Sequence, residues 1–100
     1  PTLILDEIDS GVSGKTADEI GKVMQDMAKN MQLIVITHHA QVVAKGNSHY
    51  KVVKQDVDGK TQSNIIPLGE KERLHEIAQI LSGSTITDAA LQQAEELMKN

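Results

Sequence analysis

Cysteine is absent from this chain, and so are phenylalanine and tryptophan; Tyr50 is its one aromatic residue. Without thiols no disulfide can staple the fold, and cysteine usage points to no particular redox compartment. Without large rings beyond Tyr50, the core has to be built from Leu, Ile, Val, Met and Ala. One hundred residues make one small domain, near the low end of what buries a stable core. No apolar stretch approaches the roughly 20 residues that cross a bilayer, and no secretory signal is visible. A surplus of basic charge is missing too: 10 Lys and Arg stand against 14 Asp and Glu, a formal net charge of −4. A DNA-gripping module usually carries a basic patch with little compensating acid. Here the lysines are scattered from Lys15 to Lys99 and Arg73 is the single arginine, so this segment is expected to add little grip on nucleic acid. Internal repeats and low-complexity linkers are also lacking.

What the chain does have begins at its start. Thr2-Leu3-Ile4-Leu5-Asp6-Glu7-Ile8-Asp9 is an apolar run that ends in two adjacent carboxylates, which is how a buried strand delivers acids to the rim of a sheet. In nucleotide hydrolases the first such acid holds Mg²⁺ through water and the second orients the attacking water. A second apolar run, Met31-Gln32-Leu33-Ile34-Val35-Ile36-Thr37, ends in His38-His39. Two such strands with a helix between them form a βαβ unit, which puts both strand ends at one edge of a parallel sheet. Asp6, Glu7 and His38 are then expected to share a crevice.

The remaining organisation follows from spacing and turn chemistry. Residues 2–6 read as the first strand and 7–14 as a loop, with Gly11 and Gly14 freeing its backbone. A helix is expected over about 15–30, with Ala17, Ile20, Val23, Met24, Met27 and Ala28 at helical spacing. Ser13 is its candidate cap, and Asp18 and Glu19 suit the positive end of its dipole. The second strand, 32–37, lacks alternation and so is expected to be covered on both faces. Residues 40–44 make a short helical turn. Runs 49–57 and 60–68 flank Asp58-Gly59, a strong hairpin signal, and Pro67 fits the end of an edge strand. A helix over 70–81 would bury Leu74, Ile77, Ala78 and Leu81 and stop at Ser82-Gly83. Thr87 caps a last helix striped by Leu91, Ala94, Leu97 and Met98.

Each candidate residue has an ordinary reading beside the chemical one. Asp6 could cap the following loop, and Glu7 could be a solvated acid; adjacency at a strand end lets one face a metal and the other a water. Asp9 serves a turn or loop hydrogen bond in the ordinary reading. Ser10 and Ser13 look like loop and cap residues. The His38 imidazole could donate to a γ-phosphate oxygen. His39, its neighbour, is expected to point to the opposite face. His49 and His75 read as surface residues, and the Met24, Met27 and Met31 set reads as core filler.

Taken together, these residues resemble the ABC-type ATPase head of the SMC family, in a form found in bacterial DNA repair. Leu3-Ile4-Leu5-Asp6-Glu7 resembles a Walker B motif with Glu7 as catalytic glutamate. Ile8-Asp9 with Ser10-Gly11-Val12-Ser13-Gly14 resembles the D-loop region, where Gly-Val-Ser-Gly stands in place of the commoner small-apolar-Leu-Asp. Ile36-Thr37-His38 resembles the switch-histidine loop, continued by Gln41-Val42-Val43-Ala44, while His39-Ala40 departs from the expected Leu-Pro. Glu72 to Gly83 and the helix after it resemble that form's C-terminal extension.

The resemblance implies an α/β fold, a partial P-loop NTPase head with parallel strands, a β-hairpin and two C-terminal helices. Residues 1–100 would be the C-terminal lobe, with 70–100 a helical extension. It implies ATP and Mg²⁺ as cofactors, with Asp6 on the metal, Glu7 on the water and His38 on the γ-phosphate. Ser10, Gly11 and Ser13 would act through the D-loop, which Asp9 would help to order, and Gln41 would lie near the nucleotide. A second head of the same protein would be the partner, DNA would be met through the parent protein, and the setting would be the bacterial cytoplasm at the nucleoid. The activity implied is ATP hydrolysis in recombinational repair of DNA double-strand breaks. No Gly-x-x-x-x-Gly-Lys-[Ser/Thr] loop occurs, however, and Gly11 to Thr16 is too short to wrap two phosphates. No signature motif or heptad run is present either, and the chain opens at Pro1 already inside a strand. It therefore reads as the last part of a longer protein, inactive by itself. Two alternatives stand beside this: a metal-dependent phosphohydrolase using Asp6, Glu7, Asp9 and His38 as ligands, and a non-enzymatic interaction piece prone to self-association.

Overall fold

The order of elements in the computed structural model is β1 (Thr2–Asp6), α1 (Gly14–Met27), β2 (Gln32–Ile36), α2 (Ala40–Val43), β3 (Tyr50–Val57), β4 (Lys60–Pro67), α3 (Glu70–Ser82) and α4 (Asp88–Lys99). The structure describes residues 1–83 and 85–99. Strands β1 and β2 pair in parallel from Thr2↔Gln32 to Asp6↔Ile36, with α1 as their crossover, while β3 and β4 form an antiparallel hairpin. The expected βαβ unit is therefore present, and it sets the ends of β1 and β2 side by side.

Local chemistry explains where the elements start and stop. The Ser13 hydroxyl accepts the Thr16 N–H at 3.3 Å, capping α1. At the hairpin turn Asp58 and Gly59 have φ of 52° and 75°, the paired positive values that suit a two-residue turn between twisted strands. Helix α3 opens with the Glu72 carboxylate accepting the Gly69 N–H at 3.2 Å and ends at Gly83, whose φ of 82° takes the chain out of the helix. The Thr87 hydroxyl accepts the Ala90 N–H at 3.1 Å at the start of α4.

Two clusters form the core. One face of the parallel pair, Leu5, Leu33 and Val35, packs on Ala17 and Met24 of α1 and Val42 of α2. A second cluster joins Ala40 and Ala44 around α2 to Ile77 and Ala78 of α3 and Ala90 and Ala94 of α4, rimmed by Leu74, Leu81, Leu91, Leu97 and Met98. Alanine fills most of the fully enclosed positions, so the helices approach closely, and the longer side chains seal the rim.

Three expectations about the parallel pair and α1 change. The parallel pair is covered on one face only: Ile34 and Ile36 are exposed, as is Ile4 at 63 %. The described residues supply one helical layer, so the second face of an unalternating strand stays open. Val23 of α1 and Ala28, just past its end, are exposed rather than buried, because Ala17, Gly21 and Met24 are the buried positions of that helix. Asp18 and Glu19 lie beyond the first turn of α1. Asp18 instead meets Lys45 Nζ at 2.9 Å and Lys22 Nζ at 3.3 Å. Hydrogen bonds from Lys45, then Lys22, hold its carboxyl below the usual range.

His49, expected at the surface, is half-buried, and its Nδ1 is enclosed with no hydrogen-bond partner among the described residues. Burial, then the nearby Arg73 charge, pulls its pKa down. No helix of the described residues is long and apolar enough to cross a membrane.

Candidate nucleotide-site edge

The ends of β1 and β2 are stitched together at three points. The Glu7 N–H donates to the Ile36 carbonyl at 2.8 Å, extending the parallel ladder one step beyond β1. Glu7 then turns the chain with φ of +50°, a left-handed conformation uncommon for a residue with a side chain. Backbone outliers of this kind concentrate at functional sites, where surrounding contacts hold them. The Ser10 N–H returns to the Glu7 carbonyl at 3.1 Å and closes the turn.

The second stitch is between side chains. Glu7 Oε1 lies 2.7 Å from His38 Nδ1, a hydrogen bond when the imidazole is neutral and an ion pair when it is protonated. Both groups are well exposed, so water screens the contact and it adds little stability. Its meaning is positional: a carboxylate and an imidazole from different strands meet over one spot.

The third stitch is Asp9, only 2 % exposed, whose carboxylate accepts a hydrogen bond from the Thr37 hydroxyl. The same hydroxyl accepts the His39 N–H at 3.0 Å. A buried carboxylate is costly unless it is hydrogen-bonded, and Thr37 supplies a bond from the last residue before His38.

Glu7, Asp9, Ser10, Gly11, His38 and His39 line a cleft of about 100 Å³. That is room for a few waters, since one needs about 10–15 Å³ of such space. It can seat a water and phosphate oxygens, whereas a whole nucleotide needs walls from elsewhere.

The expected residues therefore divide. Glu7, His38, Ser10 and Gly11 converge on the cleft. Asp6 is exposed one residue back and alternates onto the open sheet face with Ile4, so it does not line the cleft. Ser13 is occupied in capping α1. Gln41 lies against the start of α1, its Nε2 3.0 Å from where a Cβ on Gly14 would stand. His39, expected to point away, lines the same cleft as His38 because residues 37–39 have left the strand and strand alternation no longer applies. Thr37 was not singled out in the sequence, although a hydroxyl at the end of an otherwise apolar run was a usable signal. Among the described residues, no three His, Asp or Glu side chains come close enough to hold a metal ion by themselves. The four-ligand metal site of the phosphohydrolase alternative is thus not formed.

No protein-family model matches the chain. In sequence it is 41% identical over 98 residues to the DNA repair protein RecN of Haemophilus influenzae, and 43% identical over 98 residues to that of Deinococcus radiodurans. These alignments take in 98% of this chain but 18% and 17% of the relatives, so the chain spans less than a fifth of their length. In structure it matches a chain from work on ATP-driven dimerization and DNA-stimulated activation of SMC ATPases. The TM-score is 0.69 at 21% identity, over 81% of this chain and 48% of that one. The chain is thus similar to RecN in sequence, and it shares its fold with part of that SMC ATPase chain.

Proposed function

We propose that this chain is the carboxy-terminal lobe of the ATPase head of a RecN-like protein, with residues 70–100 as its helical extension, and that the parent hydrolyses ATP in DNA double-strand-break repair. The observation that carries this is the 2.7 Å meeting of Glu7 and His38 at the paired ends of β1 and β2.

Glu7 is the group that orients and polarises the attacking water, since its carboxylate borders a cleft that admits water. His38, on the other wall, donates to the γ-phosphate oxygens and offsets the charge that develops there. For each to act, their mutual contact must open to admit water and phosphate. Magnesium in phosphate sites keeps several waters and takes one or two carboxylates; Asp6, exposed at the strand end, fits that demand. Such an ion would neutralise phosphate charge next to the cleft. Ser10, Gly11 and Ser13 form the loop presented to a second head, and Gln41 borders the same loop where α1 begins. The phosphate loop and the signature motif must come from outside these residues. DNA would be engaged by other parts of the parent, since this chain carries net negative charge. The bacterial cytoplasm, at the nucleoid, is the setting that accords with this role.

The test is Glu7→Gln in the full-length parent. ATP turnover is expected to fall by about 100-fold or more, the scale of losing one group that acts only in the transition state, while ATP binding survives. Unchanged turnover would make Glu7 a surface acid and remove the central residue of the proposal.

A further inference from the structure

Resting on the site proposed above, we infer that Asp9 and Thr37 are positioning residues, forming a buried strut that sets His38 and Glu7 according to the position of the 10–13 loop. Neither side chain need touch the nucleotide. Asp9 is almost wholly enclosed at the root of that loop, and its backbone carbonyl also accepts the Val12 N–H at 3.4 Å. Its carboxylate takes the Thr37 hydroxyl proton, and the Thr37 oxygen in turn takes the His39 N–H at 3.0 Å. His38 is therefore held between Thr37, bonded to the Asp9 carboxylate, and His39, whose N–H is bonded to the Thr37 hydroxyl, and it is His38 that meets Glu7. A displacement of the 10–13 loop, the segment facing the cleft through Ser10 and Gly11, passes through Asp9 and Thr37 to the imidazole. A purely structural role for Asp9 would need a buried partner, but not one adjacent in sequence to the histidine of the site.

The experiment compares Thr37→Val, which keeps the shape and removes the hydroxyl, with Thr37→Ser, which keeps the hydroxyl, in the full-length parent. Asp9→Ala, the Asp9→Ala/Thr37→Val double variant and Glu7→Gln are measured alongside. Thr37→Val is expected to lower kcat about 10- to 100-fold, the scale of a misplaced catalytic group, with the KM for ATP within about twofold. Thr37→Ser should recover most of the lost turnover, and the double variant should lose scarcely more than either single one, because the two residues act as a unit. A wild-type kcat in Thr37→Val, a loss that appears in KM alone, or losses that multiply in the double variant would overturn the strut. Should Asp9→Ala fail to fold, the Val and Ser variants of Thr37 decide alone. If Glu7→Gln abolishes turnover and Thr37→Val does not alter it, the strut fails and the site stands. If Glu7→Gln has no effect, the site itself fails, and the strut with it.

Discussion

His49 sits at the base of the hairpin with Nδ1 enclosed, and its pKa is lowered by burial first and Arg73 second, against a smaller opposing pull from Glu76. The folded chain thus prefers the neutral imidazole, while the unfolded chain titrates near the ordinary value of 6.5. Below that pH the unfolded state takes up the proton more readily, so stability is full above about pH 6.5 and declines as pH falls toward the folded-state value. Denaturant unfolding of the chain at pH 7.5 and pH 5.5 should show this loss, and His49→Gln should shrink it. An equal decline in both proteins would assign the pH dependence to another group. Asp18 contributes in the same direction but in a lower window, below its ordinary value of 3.8, where its bonds to Lys45 and Lys22 are lost on protonation. Nothing in the local sequence marks His49 as enclosed: its neighbours Asn47, Ser48 and Tyr50 are those of a surface turn, and the charges that bear on it, Arg73 and Glu76, come from α3.

The contact between α1 and α2 depends on a missing side chain. A Cβ at Gly21 would stand 2.9 Å from Lys45 Cδ and 3.3 Å from the Gln41 carbonyl oxygen. Lys45 cannot move aside freely, since its side chain is 5% exposed and its ammonium is tied to Asp18. In an open helix, Gly→Ala gains about 1 kcal/mol from propensity. Here overpacking against a held lysine and a backbone carbonyl costs about 1–3 kcal/mol, so Gly21→Ala should lower stability in urea unfolding. A more stable variant would mean that α2 slides without penalty. The far end of α2 is fixed in another way: Arg73 Nη2 donates to the Val43 and Ala44 carbonyls at 3.0 and 3.2 Å, satisfying acceptors that a helix end leaves free. The single arginine thus ties α3 to the end of α2.

Large apolar side chains remain outside both cores. Ile4, Ile34 and Ile36 line the open face of the parallel pair, and Tyr50, Val52 and Ile65 line one face of the hairpin, with Ile65 69% exposed. Both strands of the parallel pair also have a free edge among the described residues. Open strand edges and contiguous apolar surface favour self-association. The isolated 100-residue chain should therefore grow in apparent mass with concentration in light scattering, and Ile34→Lys with Ile65→Lys should suppress that growth. A monomer at all concentrations would show that these faces are too small or too curved to pair. In the proposed parent the same surfaces would meet the rest of the head.

What the sequence determined by itself lies within about one helical turn of the residues responsible. The Ser13 and Thr87 caps, the Asp58-Gly59 turn, the stop at Gly83 and the strand–helix–strand order at the start were all readable, because each depends on the dihedral freedom or hydrogen-bonding groups of near neighbours. The acids after β1 and the histidine after β2 were readable as well, since the parallel pairing puts both strand ends at one edge. Tertiary structure alone decided which side chains meet there. It brought Glu7 to His38, gave Asp9 a partner in Thr37, kept Asp6 off the cleft, drew His39 into it, and left one face of β2 bare. These outcomes depend on strand register, side-chain rotamers and which layers of structure are present. A linear pattern of apolar and polar residues does not encode them, because residues far apart in the chain meet only after the elements have packed.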